Sequence, residues 1–232
     1  MALVETEHSG SIATLTLSRP QARNALSIEL CDAIATALDG ISGDARVVVL
    51  RGAGKAFCSG ADFAAISGPG GTEFVPVFER MLEAVARHRL PTIAAIQGAA
   101  LGGGLQLATV CDFRVAASDA RLGIPSTTLG IVVNFENVQR LALLVGLARA
   151  KEVLMTGRTY SGVEAESAGL VNRSVAPQDL DAEVGRLADA IAALAPLSVQ
   201  GAKVALQAIA DHVGATRSTH PKQVAAVDRL VA

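Results

Sequence analysis

The chain has 232 residues, 50% of them hydrophobic but only 3% aromatic, and a formal net charge of −2. This length suits one domain whose core is packed closely from Ala, Leu, Val and Ile, and the near-balanced charge without a basic run excludes sequence-independent nucleic-acid binding. Three cysteines without a Cys-x-x-Cys pair and four histidines away from ligand spacing suggest neither a disulfide framework nor a metal site, so a reducing cytoplasm is expected.

The first residues, Met-Ala-Leu-Val-Glu-Thr-Glu-His, have no basic or apolar region of a signal peptide. Ser11 to Ser18 alternates apolar and polar, which predicts a half-buried strand. Leu30, Ile34 and Leu38 then predict an amphipathic helix, with Ser27 as its N-cap and Gly40 as its stop. Arg46–Arg51, Pro91–Gln97 and Asp112–Ala117 are continuous apolar runs, as in strands of a parallel sheet covered on both faces. Between the first two runs, Phe78, Met81, Leu82 and Val85 form a helical stripe.

Leu90 to Val110 carries no charged side chain, but Pro91, Gln97, Gln106 and four glycines, Gly98 and Gly102 to Gly104, argue for strand, turn and helix rather than a membrane span. Strands therefore alternate with helices through the first half, an α/β pattern. The second half is mostly helical. It has an apolar side on Phe135 to Val145, a capping box at Ser161 to Glu164, Pro177 at a helix start, and one face made by Val184, Leu187, Ile191 and Leu194. Further helical patterns follow Pro196 and Pro221, and Ser67 to Gly71 reads as a mobile loop.

Two segments carry chemistry. Arg51 to Phe63 is a buried strand running into a loop with Gly52, Gly54 and Gly60; it is not a Walker A loop, because Ala56 follows Lys55. Gln97 to Ala108 is a second strand that turns into a helix through Gly102, Gly103 and Gly104. Its glycines let the backbone approach a ligand, and the first helical turn leaves unpaired N–H groups at the positive end of the helix dipole. Two such loops can aim one N–H each at a single carbonyl oxygen, as an oxyanion hole requires.

In order along almost the whole chain, the sequence resembles the crotonase (enoyl-CoA hydratase/isomerase) superfamily. The matching landmarks are Arg19-Pro20 with Asn24-Ala25-Leu26, Ala56-Phe57 with Ser59 to Asp62, Gly98 with Leu101 to Gly104, and Cys111-Asp112; Gln139 to Leu141, Gly157 and Ala168 to Val171 follow. The resemblance implies a spiral of β-β-α units over residues 1–175, followed by a helical trimerisation region over 176–232. It also implies a homotrimer or dimer of trimers, a place in lipid metabolism with protein partners there, and no cofactor beyond the coenzyme A of the ligand.

By the same resemblance, the N–H groups of Ala61 and Gly103 hold the thioester oxygen. Arg23, Ala25, Lys55 and Phe57 lie along the coenzyme A, with Arg23 and Lys55 facing its phosphates, and Asp62, Phe63 and Ala64 border the acyl group beside Ala61. Family members usually continue past the point where this chain stops, so its C-terminal cover is expected to be shortened.

The positions of the two hydratase glutamates fall at Gln106 and Ser126, and the isomerase aspartate at Asn134. None titrates near neutral pH. Glu136 is the one nearby carboxylate visible from sequence, and two residues along a helix turn it away by roughly 200°. The expected function is therefore an acyl-CoA binding protein with weak or absent hydratase activity; the alternative is an active enoyl-CoA hydratase or another reaction of the same family.

Overall fold

The computed structural model describes residues 2–63 and 71–214. The chain opens with a hairpin, β1 (Val4–Ser9) and β2 (Ile12–Leu17), whose first strand is exposed along most of its length. Helix α1 (Ile28–Asp39) follows, its Ser27 side chain accepting from the Leu30 N–H as the spacing predicted. Strands β3 (Val47–Gly52), β4 (Thr92–Ile96), β6 (Phe113–Ala117) and β9 (Arg173–Val175) then join β2 in parallel. The six strands are ordered β1-β2-β3-β4-β6-β9.

A second, three-stranded sheet is made of β5 (Ala99–Leu101), β7 (Arg121–Gly123) and β8 (Thr159–Ser161). The chain passes from β4 to β5 at Gly98, whose φ is +60° and where a Cβ would lie 1.9 Å from the Lys55 carbonyl oxygen; only glycine fits. It passes from β6 to β7 through Ser118 to Ala120, a turn closed by the Ala120 N–H on the Ala117 carbonyl at 2.9 Å. Because β4 pairs with β6 and β5 with β7, both in parallel, one β-β-α unit is laid beside the previous one at a strand spacing, which makes the expected spiral.

The helices of these units are α2 (Gly71–Ala86), α3 (Gly103–Val110) and α4 (Phe135–Thr156), which is interrupted by non-helical Gly146. Helices α5 (Gly162–Ser167), α6 (Leu180–Ala192) and α7 (Pro196–Gly214) complete the described chain. The predicted stripe of α2 is buried at Phe78, Met81, Leu82 and Val85. β4 is buried at every residue, so both its faces are covered, one of them by α6 across β2, β3, β4 and β6.

Polar groups fix the layers. Arg114, almost fully buried, donates to the carbonyls of Ala108, Cys111 and Leu170 and so occupies the negative end of α3. Asp112 accepts from Thr92 and from Lys203 Nζ at 2.7 Å, which ties α7 to the central sheet. Among the described residues no helix is long and apolar enough to cross a membrane, and no group of acidic, histidine or cysteine side chains could hold a metal ion. The loop read at Ser67 to Gly71 lies outside the described residues up to position 70, as do Ala64 and the helical pattern after Pro221.

Candidate functional site

The site grows out of one clamp. After a 3-10 turn at Pro20–Ala22, Arg23 and Asn24 both take the left-handed conformation, with φ of 51° and 55°. Asparagine tolerates that region better than most residues. Fully buried Asn24 accepts from the Arg19 N–H through Oδ1 and donates through Nδ2 to the carbonyls of Ala53 and Ala56, at 3.0 and 2.8 Å. Those carbonyls flank Lys55, so Arg23 and Lys55, both exposed, are held at one clamp. Asn24→Ala orphans two acceptors, the Ala56 carbonyl buried and the Ala53 carbonyl partly so, and strains the turn; it is expected to cost about 2–4 kcal/mol, measurable as a lower urea midpoint with an unchanged slope.

From the clamp, the loop over residues 57–62 is stitched on both sides. Ser59 N–H donates to Arg23, Leu26 N–H to Gly60, and Asp62 N–H to Leu26; on the other side Phe57 N–H donates to Gln97, Cys58 N–H to Ala99, and Leu101 N–H to Cys58. Gly60 permits the second contact, since its φ is +109° and a Cβ would meet the Leu101 carbonyl at 2.8 Å. Two N–H groups are left over. Among the described residues neither Ala61 nor Gly103 has a hydrogen-bond acceptor for its main-chain donor, and a Cβ built on Gly103 would lie 3.4 Å from Ala61 N.

These two groups open on a cavity of about 270 Å³. Its walls are largely apolar: Phe74, Val75 and Phe78 of α2, Ile124, Leu129, and Ile131 to Val133, with exposed Phe63 also lining it. The rings of Phe74 and Phe78 stack at 5.5 Å. Of the residues expected from sequence, the structure brings Ala61, Phe63, Gly103, Gln106, Ser126 and Asn134 to this one cavity. Arg23, Ala25, Lys55, Phe57 and Asp62 do not line it. Phe57 is fully buried, main chain included, and its N–H is used on Gln97, while Asp62 pairs with Arg19 at 3.0 Å, bracing the loop beside Ala61.

Gln106 stands one turn after Gly103 on α3. It is 9% exposed, and its carboxamide has no hydrogen-bond partner among the described residues. The sequence reading of Glu136 as the one carboxylate nearby is corrected. Half-buried Glu136 does not line the cavity, whereas Glu79 of α2 does. Glu79 is one step past Phe78 and one turn past Val75, so helical periodicity sets it on the edge of the buried stripe; a charge at the border of an apolar face was the signal available. Burial pushes the thiols of Cys31, Cys58 and Cys111 up to about 12, which leaves no thiolate nucleophile among them.

The sequence model of the enoyl-CoA hydratase/isomerase family matches residues 7–226. The chain belongs to the enoyl-CoA hydratase/isomerase family. Within it, the Bacillus subtilis protein YngF is 41% identical over 209 residues, covering 88% of this chain and 79% of that one. A crotonyl-CoA hydratase from Syntrophomonas wolfei is 38% identical over 205 residues, covering 86% of this chain and 79% of its own. Among solved structures of the family, an enoyl-CoA hydratase/carnithine racemase from Magnetospirillum magneticum superposes with a TM-score of 0.86 at 35% identity, over 90% of this chain and 81% of that one. The β-β-α spiral is thus the crotonase fold of the enoyl-CoA hydratase/isomerase family.

Proposed function

We propose that this chain holds acyl-CoA thioesters with the carbonyl oxygen between the N–H groups of Ala61 and Gly103, and that it hydrates enoyl thioesters weakly or not at all. One observation carries the reading: two acceptorless main-chain donors converge on an apolar cavity whose walls at Gln106, Ser126 and Asn134 offer only amides and a hydroxyl. Donors fixed in this way stabilise the negative charge of an enolate or oxyanion without reorganising. Hydration also needs one group to take a proton from water and another to protonate the α-carbon; lacking a positioned acid or base typically lowers the rate by about 10²–10⁴.

In this reading Arg23 and Lys55 serve the phosphates of coenzyme A, Ala25 lies along it, and Phe63, which lines the cavity, borders the acyl group. No further cofactor takes part. Assembly as a trimer belongs to the same reading, supported by exposed Leu197, Val204, Leu206 and Ile209 along α7.

Isothermal titration tests the proposal: acyl-CoAs are expected to bind more tightly than free coenzyme A, and equal affinity for both would end it. The second reading, an active hydratase, is favoured by relatives that carry that name. Turnover of crotonyl-CoA at a rate normal for hydratases, abolished in Gln106→Ala, would establish it instead.

A further inference from the structure

Three side chains hold the carboxylate of Glu79 in one orientation. Asn134 caps α4 by accepting from the Asn137 N–H, and its Nδ2 donates to Glu79 Oε1 at 2.9 Å. Asn137 donates its Nδ2 to the same oxygen at 2.6 Å. Arg140 donates from Nη1 to Glu79 Oε2 at 3.1 Å and from Nη2 to Glu83, and the ion pairs continue from Glu83 through Arg87 to Asp211 of α7. Turning the carboxylate would break three hydrogen bonds at the cavity end of this run.

The same bonds fix where a proton can sit. A carboxylate has about four acceptor positions. Both on Oε1 are taken by the two amides and one on Oε2 by Arg140, so among the described residues the second position on Oε2 is left. A carboxyl protonated there keeps every one of these bonds, because its carbonyl oxygen still accepts from both amides and its hydroxyl oxygen still accepts from Arg140. Glu79 can thus gain and lose a proton at one oxygen without rearrangement, as an acid–base group must. Its side chain is 26% exposed, so that proton can exchange with water.

The position of Glu79 suits this chemistry. Phe74, Val75, Phe78 and Glu79 line the cavity from α2, and Phe78 Cε2 comes within 3.4 Å of a Cβ built on Gly103, so this face of α2 borders one of the two N–H donors. Among the described residues no other carboxylate lines the cavity. The positions carried over from the resemblance, Gln106, Ser126 and Asn134, lie on other elements.

We propose that Glu79 is the catalytic acid–base residue of this chain: its Oε2 removes a proton from the α-carbon of a bound acyl thioester and returns one to the same carbon. The electron pair of the broken C–H bond moves between the α-carbon and the carbonyl carbon, and the carbonyl π pair moves onto the oxygen held by Ala61 and Gly103. Reprotonation reverses both movements, so no oxidant, water or second group is consumed. A proton that exchanges with solvent while on Oε2 leaves the thioester carrying solvent hydrogen. One carboxylate suffices for this step, whereas hydration needs two groups. The assignment rests on the thioester reading above.

Incubating the full chain with butyryl-CoA in D2O and following the mass of the thioester tests it. The native chain is expected to introduce deuterium at the α-carbon at least about 100-fold faster than buffer alone. Incorporation is expected to stop at one deuterium per molecule, because a carboxylate on one wall reaches one face of the enolate. Glu79→Gln, close in shape, is expected to lose about 100-fold or more of the rate while still binding butyryl-CoA. A native chain that binds butyryl-CoA yet exchanges no faster than buffer overturns the assignment whether or not the variant folds. Ready exchange of both α-hydrogens does the same, and so does exchange that survives in a folded Glu79→Gln. Butyryl-CoA binding no better than coenzyme A overturns the thioester reading itself, and the assignment with it.

Discussion

The double variant Gln106→Glu/Ser126→Glu is expected to hydrate crotonyl-CoA at least about 100-fold faster than the native chain, followed as loss of the enoyl absorbance. Both positions line the cavity onto which Ala61 and Gly103 open their N–H groups. The first replacement is nearly isosteric. Two carboxyls facing one largely apolar cavity favour a state with one protonated and one ionised, so that one can deliver a proton while the other takes one from water. One positioned acid or base is worth about 10²–10⁴ in rate, and members of a coupled pair do not add, so either single variant should recover much less. A double variant that binds thioester normally yet stays at the native rate would mean that something other than the missing acids limits hydration.

Neighbouring glycines should fail in opposite ways. At Gly103 a methyl would sit 3.4 Å from Ala61 N, Leu26 Cδ1 and Phe78 Cε2, ordinary contact distances that the fold tolerates. That methyl crowds the space where a thioester oxygen would approach both donors. Gly103→Ala is therefore expected to keep or slightly raise the unfolding midpoint, as Gly to Ala changes do where the backbone allows, and to weaken acyl-CoA binding on the order of 100-fold. At Gly104 a methyl would lie 2.3 Å from the Cys58 carbonyl oxygen, so α3 must move off the loop. Gly104→Ala should cost about 3 kcal/mol and lower the midpoint by several degrees. Thermal scans with titration separate the two, and normal binding by Gly103→Ala would remove that pair of donors from the site.

Much of this arrangement was readable along the chain because it depends on local pattern. Ser27, the capping box at Ser161 and the apolar runs of β3, β4 and β6 each announce their element within a few residues. Strand β1 escaped notice because after Val4 its residues are charged or polar and exposed, an edge strand whose identity comes only from pairing with β2. The second sheet was invisible for another reason: three residues are too few to show a period, and β5, β7 and β8 are strands only because the spiral sets them side by side.

The candidate site divides in the same way. Ala61, Gly103, Gln106, Ser126 and Asn134 were placed by motif, and the cavity collects them. Glu79 was missed because its hydrogen-bond partners Asn134, Asn137 and Arg140 lie more than fifty positions away; near it in sequence, only its place at the border of the apolar stripe of α2 sets it apart from a solvated charge.

The stitching of residues 57–62 to residues 23–26 on one side and 97–101 on the other has a consequence for how the protein comes apart. The loop that carries Ala61 is held on both sides, by the turn at Arg23 to Leu26 and by β5 of the second sheet, rather than standing free as a flap. Opening the site therefore breaks contacts of both neighbouring segments, and loss of binding is expected to track loss of the fold around it. A thioester seated between Ala61 and Gly103 is accordingly expected to slow exchange of the Phe57, Cys58 and Leu101 amides as well as to protect the loop itself.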